Sequence, residues 1–176
     1  EKICYDATSS WATREAIREQ GGIPVISRVG HSFIKETMRT ENILFAGERS
    51  GHFYFRFSNL GYFEAPLLVV TIVLNLMAES KQPLSELIKP FRRYAATGEI
   101  NFEVENKERV VRLLTEQYAT AQSVDHLDGI TIEYGDWWFN VRPSNTEPLL
   151  RLNLEARSAE LRDRKLEEIT ALIKNG

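Results

Sequence analysis

Residues 137–156 read WWFNVRPSNTEPLLRLNLEA, and no other stretch restricts the fold as strongly. Trp137, Phe139 and Val141 fall on one side of an alternating run, and Leu150, Leu152, Leu154 and Ala156 fall on one side of a second. A period of two with apolar residues on one side marks two half-buried strands, so the polar segment between them is a loop joining a hairpin. Arg151, Asn153 and Glu155 lie opposite the leucines and are expected to point away from the core. The loop gathers Arg142, Ser144, Asn145 and Thr146, one fixed cation beside two hydroxyls and an amide. A planar guanidinium forks onto two oxygens, so this set suits a phosphate group. Pro143 and Pro148 restrict the backbone on either side, which lowers the entropy lost when an anion binds. On composition alone the same residues also make a polar turn with a solvated arginine.

The rest of the chain divides by pattern. Lys2 to Tyr5 is an apolar strand, followed by a polar turn in which Ser10 can cap a helix over Trp11 to Gln20 that stops at Gly21-Gly22. A second strand over Ile23 to Ile26, a helix over about Phe33 to Arg39 and a third strand over Ile43 to Ala46 imply parallel pairing with helical crossovers. Phe53 to Phe57 continues the sheet. Leu67 to Leu76 is the most apolar run; it falls short of the ~18–20 residues of a membrane span and is expected to be a helix buried against the sheet. A short helix over Pro83 to Lys89 ends at Pro90. Phe91 to Glu99 is the candidate boundary, which gives domains of residues 1–95 and 96–176.

Beyond that boundary Ile100, Phe102 and Val104 alternate, and a helix over Lys107 to Ala121 buries Val110, Val111, Leu114 and Tyr118. Ile130, Ile132 and Tyr134 alternate again, and Gly135-Asp136 fits a two-residue turn into the hairpin. Ser158 caps a last helix. The expected fold is α/β: a three-layer α/β/α domain with a mixed sheet, then a small β-α-β-β-β-α domain of the TATA-binding-protein-like type.

Composition removes several functions. A net charge of −3 argues against a nucleic-acid partner, which asks for a concentrated basic face. The single cysteine, Cys4, excludes an internal disulfide and a multi-cysteine metal site, and is expected to pack as a small apolar side chain. No secretion leader opens the chain, so a reducing, cytoplasmic setting without a membrane partner is expected. The chain opens on Glu1 and enters a strand almost at once, which leads us to expect a piece of a longer protein.

A second cluster, Gly47-Glu48-Arg49-Ser50-Gly51-His52, follows a strand and places an acid, a hydroxyl and an imidazole at alternate positions. Its glycines let backbone approach a ligand closely, and carboxylate and hydroxyl groups suit adjacent sugar hydroxyls. An ordinary surface turn has the same composition.

The order of residues goes further. The segment from Arg142 to Pro148, followed by an apolar strand, resembles the phosphate-binding loop in the last domain of the α-D-phosphohexomutases. Gly-Glu-x-Ser-Gly-His at 47–52 is similar to the sugar-specificity loop in the third domain of that family, and residues 30–35 resemble another segment of that domain. The resemblance covers the chain as third domain, linker and fourth domain, within the phosphomannomutase/phosphoglucomutase group. It implies that Glu48 and Ser50 hold neighbouring ring hydroxyls, with His52 lining the site and His31 and Lys35 near the substrate. Arg142, Ser144, Asn145 and Thr146, joined by Arg151, would take the phosphate.

The implied activity is interconversion of hexose 1- and 6-phosphates by phosphoryl transfer, with a hexose 1,6-bisphosphate as intermediate and activator. A phosphoserine and Mg2+ are implied in preceding domains against which this chain would pack, and hexose phosphates are the implied ligands. Neither a Thr-x-Ser-His-Asn-Pro segment nor an Asp-x-Asp-x-Asp loop occurs here, and the five aspartates are scattered in sequence. The chain alone is therefore expected to be inactive. Three other readings stay open: a phosphoglucosamine mutase, although that group tends to carry glycine at the position of Asn145, a sugar-phosphate-binding module without catalysis, and a plain structural or interaction fragment. Two local departures from the pattern are Thr8, where some relatives place lysine, and Glu64-Ala65-Pro66, where many have aspartate, a small residue and glycine.

Overall fold

The structure is a computed structural model that describes residues 1–58, 60–144 and 147–175. Two compact units follow one another in the chain, Glu1–Arg93 and Tyr94–Gly176. Asn145 and Thr146 lie outside the described residues.

The first unit is built on a five-stranded mixed sheet in the order β2-β1-β3-β4-β5. β1 (Lys2–Asp6) lies parallel to β2 (Ile23–Ser27) and to β3 (Phe45–Gly47), connected through α1 (Trp11–Glu19) and α2 (His31–Thr40). Ser10 caps α1 by accepting from the Ala12 amide at 3.1 Å, and Gly21, at φ +73°, takes the chain out of the helix. β4 (Phe53–Phe57) and β5 (Gly61–Glu64) complete the sheet as antiparallel strands. Cys4, Ala46 and Tyr54 form the buried floor under Ile34 and Met38 of α2, so α2 is fixed where its N-terminus overlooks the 47–52 loop. Arg93 closes this unit by donating to Glu15 at 3.2 Å and forking onto Glu19 at 2.5 and 2.6 Å.

Three sequence expectations are corrected in this unit. The strand β5 is an addition, since Gly61–Glu64 is too short for an alternating pattern to show. The apolar run does form a helix, α3 (Pro66–Ser80), but it buries no residue; Leu67 is 80% and Leu74 58% exposed. An apolar run states that a segment gains from burial, not which surface it meets. Pro90 does not terminate α4 (Leu84–Leu87) but sits inside a 3-10 turn, Lys89–Phe91. Among the described residues no single helix is long and apolar enough to cross a membrane; α3 reaches that length only together with Leu84–Phe91, across a 94° bend.

The second unit is an antiparallel sheet in the order β6-β10-β9-β8-β7. Its strands are β6 (Ala95–Glu103), β7 (Ser123–Asp125), β8 (Ile130–Glu133), β9 (Trp137–Pro143) and β10 (Leu149–Ala156). The Tyr134 amide donates to Trp137 O at 2.9 Å, closing the turn at Gly135-Asp136 as expected. Phe139, Val141, Leu150, Leu152 and Leu154 are buried with Val110 and Leu114 of α5 (Lys107–Gln117) and Ile169 and Ile173 of α6 (Ala159–Asn175). Burying each such side chain stabilises the unit by ~1.5–3 kcal/mol, so the hairpin is pinned to the two helices.

The outer face of the hairpin departs from expectation. Asn153 and Glu155 are buried, not exposed, as are Trp138 and Asn140. Part of this polarity is paired across the strands: Trp138 Nε1 donates to Glu155 at 3.1 Å, and Asn140 Nδ2 donates to Thr131 Oγ1 at 3.0 Å, while Asn140 Oδ1 has no partner among the described residues. Buried polar groups that are paired this way cost little. β7 is a further short strand with one apolar position, Val124.

The two units divide within the segment read as a boundary, and its last part, from Ala95, is already the first half of β6. A bulge hides it from the pattern: Thr97 and Gly98 together oppose Leu154, Gly98 takes φ +79°, and Thr97 Oγ1 accepts the Leu154 amide at 3.1 Å. The extra residue shifts the alternation by one, so no regular period runs through it.

Candidate functional site

In the second unit the site begins with strand register. Arg142 of β9 lies directly opposite Arg151 of β10, and like charges directly opposite one another repel. Regular pairing of Arg151 with Asn101 and of Asn153 with Glu99 puts Glu99 on the same face, where it accepts from Arg142 Nη2 at 3.0 Å and faces Arg151 Nη1 at 3.4 Å. Glu147 takes Arg151 Nη2 at 3.3 Å. The Nε–H donors of both arginines are buried and have no acceptor among the described residues. Arg142 is a strand residue with its side chain 12% exposed, not a solvated turn arginine.

Ser144 follows the strand and is buried; its amide donates to Leu149 O at 2.8 Å and so closes the loop. Lys107, the first residue of α5, donates from Nζ to the carbonyls of Ser144 at 3.0 Å and Glu147 at 2.8 Å. Arg142, Arg151 and Lys107 thus set three cations against the two carboxylates Glu99 and Glu147, an excess of positive charge within a chain whose net charge is −3. The Asn145 and Thr146 predicted for this loop fall outside the described residues.

In the first unit the 47–52 loop turns tightly. The Glu48 amide donates to His52 O at 2.8 Å, and Gly51 donates to Glu48 O at 3.0 Å with φ +88°, a conformation in which a Cβ is strained. The Glu48 side chain points inward and is 7% exposed. One carboxylate oxygen accepts from Tyr54 OH at 2.5 Å and the other from the Gly30 amide at 3.0 Å. Burial, reinforced by the Glu48 hydrogen bond, raises the Tyr54 pKa above its ordinary value.

The structure gathers most of the predicted residues around that tyrosine. The His31 ring lies 6.4 Å from the Tyr54 ring and the Lys35 ammonium 6.0 Å from it. His52 turns instead to Glu64, its Nδ1 lying 2.6 Å from the carboxylate, and this bond raises the imidazole pKa. Ser50 is exposed at the tip of the turn. Two departures noted in the sequence therefore have local uses: Glu64 partners His52, and the Thr8 hydroxyl donates to Asp6 at 2.7 Å.

Sequence reasoning missed five residues that hold these groups. Asp6 is buried at the end of β1 and accepts the Arg49 amide at 2.6 Å, tying the sugar-type loop to the sheet. Tyr54 was legible only as part of a strand, while Glu99 and Lys107 come to the loop from β6 and the start of α5, elements whose pairing with it the sequence does not state. Glu147 lies within the recognised loop motif but has no alternation to mark it.

Comparison with known proteins agrees with both halves. A family model described as "Phosphoglucomutase/phosphomannomutase, alpha/beta/alpha domain III" matches residues 1–94, and one described as "Phosphoglucomutase/phosphomannomutase, C-terminal domain" matches residues 99–172. A phosphomannomutase of Methanocaldococcus jannaschii is 47% identical over 98% of this chain and 38% of its own length. Phosphohexose mutases of Xanthomonas campestris pv. campestris are 38% identical over 98% of this chain and 39% of their own length. A crystal structure of a phosphoglucomutase/phosphomannomutase family protein from Burkholderia thailandensis superposes with a TM-score of 0.83 at 28% identity, covering 99% of this chain and 37% of that one. This chain thus spans well under half the length of these relatives.

Proposed function

Because the chain belongs to the phosphoglucomutase/phosphomannomutase family, we propose that it is the recognition half of a phosphohexomutase that interconverts hexose 1- and 6-phosphates through a bisphosphorylated intermediate. The single observation that carries this reading is the opposed Arg142–Arg151 pair, steadied by Glu99 beside a closed loop. A phosphate dianion offers several acceptor oxygens to two guanidinium forks and offsets the charge that the two carboxylates leave over.

In this reading Arg142, Arg151 and Ser144, with Asn145 and Thr146, hold the phosphate that is not reacting. Glu48 and Ser50 hold the ring hydroxyls, and His52, His31 and Lys35 line that site. A carboxylate accepts only, and each Glu48 oxygen has capacity beyond the one bond it already takes, so a sugar hydroxyl can add to a group already aimed by Tyr54 and Gly30. Fixing both ends of the hexose phosphate is the positioning on which phosphoryl transfer depends.

Mg2+, which the family implies, prefers clustered carboxylate oxygens. Among the described residues no group of three or more His, Cys, Asp or Glu side chains could hold a metal ion. The described residues therefore do not fit the ion. The chain by itself is a binder and not a mutase, the ion and the phosphoserine being supplied by the rest of a longer protein.

The test is an amide NMR titration of the 176-residue chain with mannose 1-phosphate and glucose 1-phosphate, beside a coupled mutase assay. Amides of residues 47–52 and 142–149 should shift together with no turnover. Shifts in neither segment would refute recognition, and turnover above buffer would refute the division of labour.

A further inference from the structure

Lys107 adds to the positive charge around the loop but is not among the groups proposed above to hold the phosphate, and its contacts single it out. It is the first residue of α5, and its ammonium donates to Ser144 O at 3.0 Å and Glu147 O at 2.8 Å. Those residues stand on either side of positions 145 and 146 in sequence, so one side chain ties both flanks of the candidate phosphate loop. The tether is anchored in turn. Asn106 caps α5 by accepting the Arg109 amide at 2.8 Å, and Val110 and Leu114 on the same helix are fully buried in the core of the unit. A continuous line of support therefore runs from the core through α5 and Lys107 to the loop.

Resting on the phosphate-binding reading of that loop, we propose that Lys107 is a positioning residue for it, acting through the two carbonyls and not by touching the phosphate. Carbonyl oxygens carry partial negative charge, and an anion is held best where such dipoles are turned away and N–H donors face it. An ammonium that engages the carbonyls of Ser144 and Glu147 fixes their direction and offsets their charge. It also fixes Ser144 and Glu147 before the ligand arrives, which lowers the entropic cost of binding. Ammonium suits the task because its three donors on a long flexible stem reach two carbonyls at once.

Lys107→Met keeps most of the apolar stem and removes the donors, and Lys107→Arg restores them. Two measurements on the 176-residue chain separate the possibilities. The first is hydrogen exchange of the Ser144 amide without ligand, since that amide donates to Leu149 O at 2.8 Å and reports loop closure. Exchange should accelerate at least about tenfold in Lys107→Met, equal to a loss of about 1.4 kcal/mol, while the amides of Leu152 and Ile132 keep their rates. The second is calorimetric titration with glucose 1,6-bisphosphate, where Kd should rise by about tenfold or more in Lys107→Met and recover in Lys107→Arg. Unchanged Ser144 exchange overturns the proposal whatever the affinities, because a lysine that contacts only the phosphate leaves the empty loop alone. Equal Kd in wild type and Lys107→Met also overturns it. Absence of binding by the wild type refutes the phosphate reading itself, and the exchange measurement still decides whether Lys107 orders the loop.

Discussion

Tyr54→Phe removes one oxygen atom at the place where the first unit concentrates its buried polarity. The ring stays in a site that is fully buried among Cys4, Ile34 and Met38, so packing is nearly unchanged. What is lost is the 2.5 Å hydrogen bond to Glu48, which leaves a carboxylate only 7% exposed with the Gly30 amide as its remaining partner. A hydrogen bond to a charged group contributes ~1.5–3 kcal/mol, and stranding its partner costs at the upper end of that range. Urea unfolding followed through Trp11 and the amides of α2 should therefore show a loss of about 2–3 kcal/mol at neutral pH. The pH dependence has a definite sign. Folded Tyr54 ionises above its ordinary value of 10.0; the stability from its neutral hydroxyl is complete below that value and is lost as pH rises toward the folded pKa. Tyr54→Phe should remove this alkaline dependence. A loss below about 0.5 kcal/mol, in the range of an ordinary surface substitution, would refute the view that Glu48 is held by Tyr54 and so ready for a sugar.

Glu64→Gln should lower the His52 pKa toward 6.5, as read from the imidazole protons by NMR, because the Glu64 hydrogen bond is what raises it. In the wild type the stability from this pair is complete below the ordinary imidazole pKa and fades as pH rises through the raised one; an unmoved titration would contradict the pairing. Gly129→Ala puts a Cβ 2.2 Å from Val141 O at a φ of +68°, and should cost at least about 2 kcal/mol by urea unfolding from combined strain and overpacking. A near-neutral effect would mean that β8 does not start that close to β9. The Cys4 thiol is buried, and its pKa is pushed up to about 12, first by burial and then by Asp6 and Glu48. Since the thiolate is the reactive form, a disulfide reagent should label it no faster than the unit unfolds, and rapid labelling of the native chain would contradict the packing of β1.

What could be read in advance was whatever local periodicity and local capping control. The hairpin of β9 and β10 follows from its alternation, and the ends of α1 follow from Ser10 and Gly21. Arg142 and Glu48 were legible because both sit in short, distinctive motifs. Their partners were not, since Glu99 reaches Arg142 only across the intervening strand β10, and Tyr54 reaches Glu48 only once the sheet has formed. The burial of Asn153 and Glu155 depends on what pairs with a polar face, which alternation cannot state. α3 shows the same limit from the other side, its composition asking for burial and its place in the fold leaving Leu67 and Leu74 exposed.

The central claim, that the loop after β9 grips a phosphate through the Arg142 fork, is tested most directly by Arg142→Lys. The substitution keeps the charge facing Glu99 but replaces a planar pair of donors with one compact ammonium. Calorimetric titration of glucose 1,6-bisphosphate into the two forms of the 176-residue chain should show affinity weakened by about 10- to 150-fold, the equivalent of one charge-assisted hydrogen bond of ~1.5–3 kcal/mol. Equal affinities would contradict it, and Arg142 would then serve only to hold Glu99 between the strands.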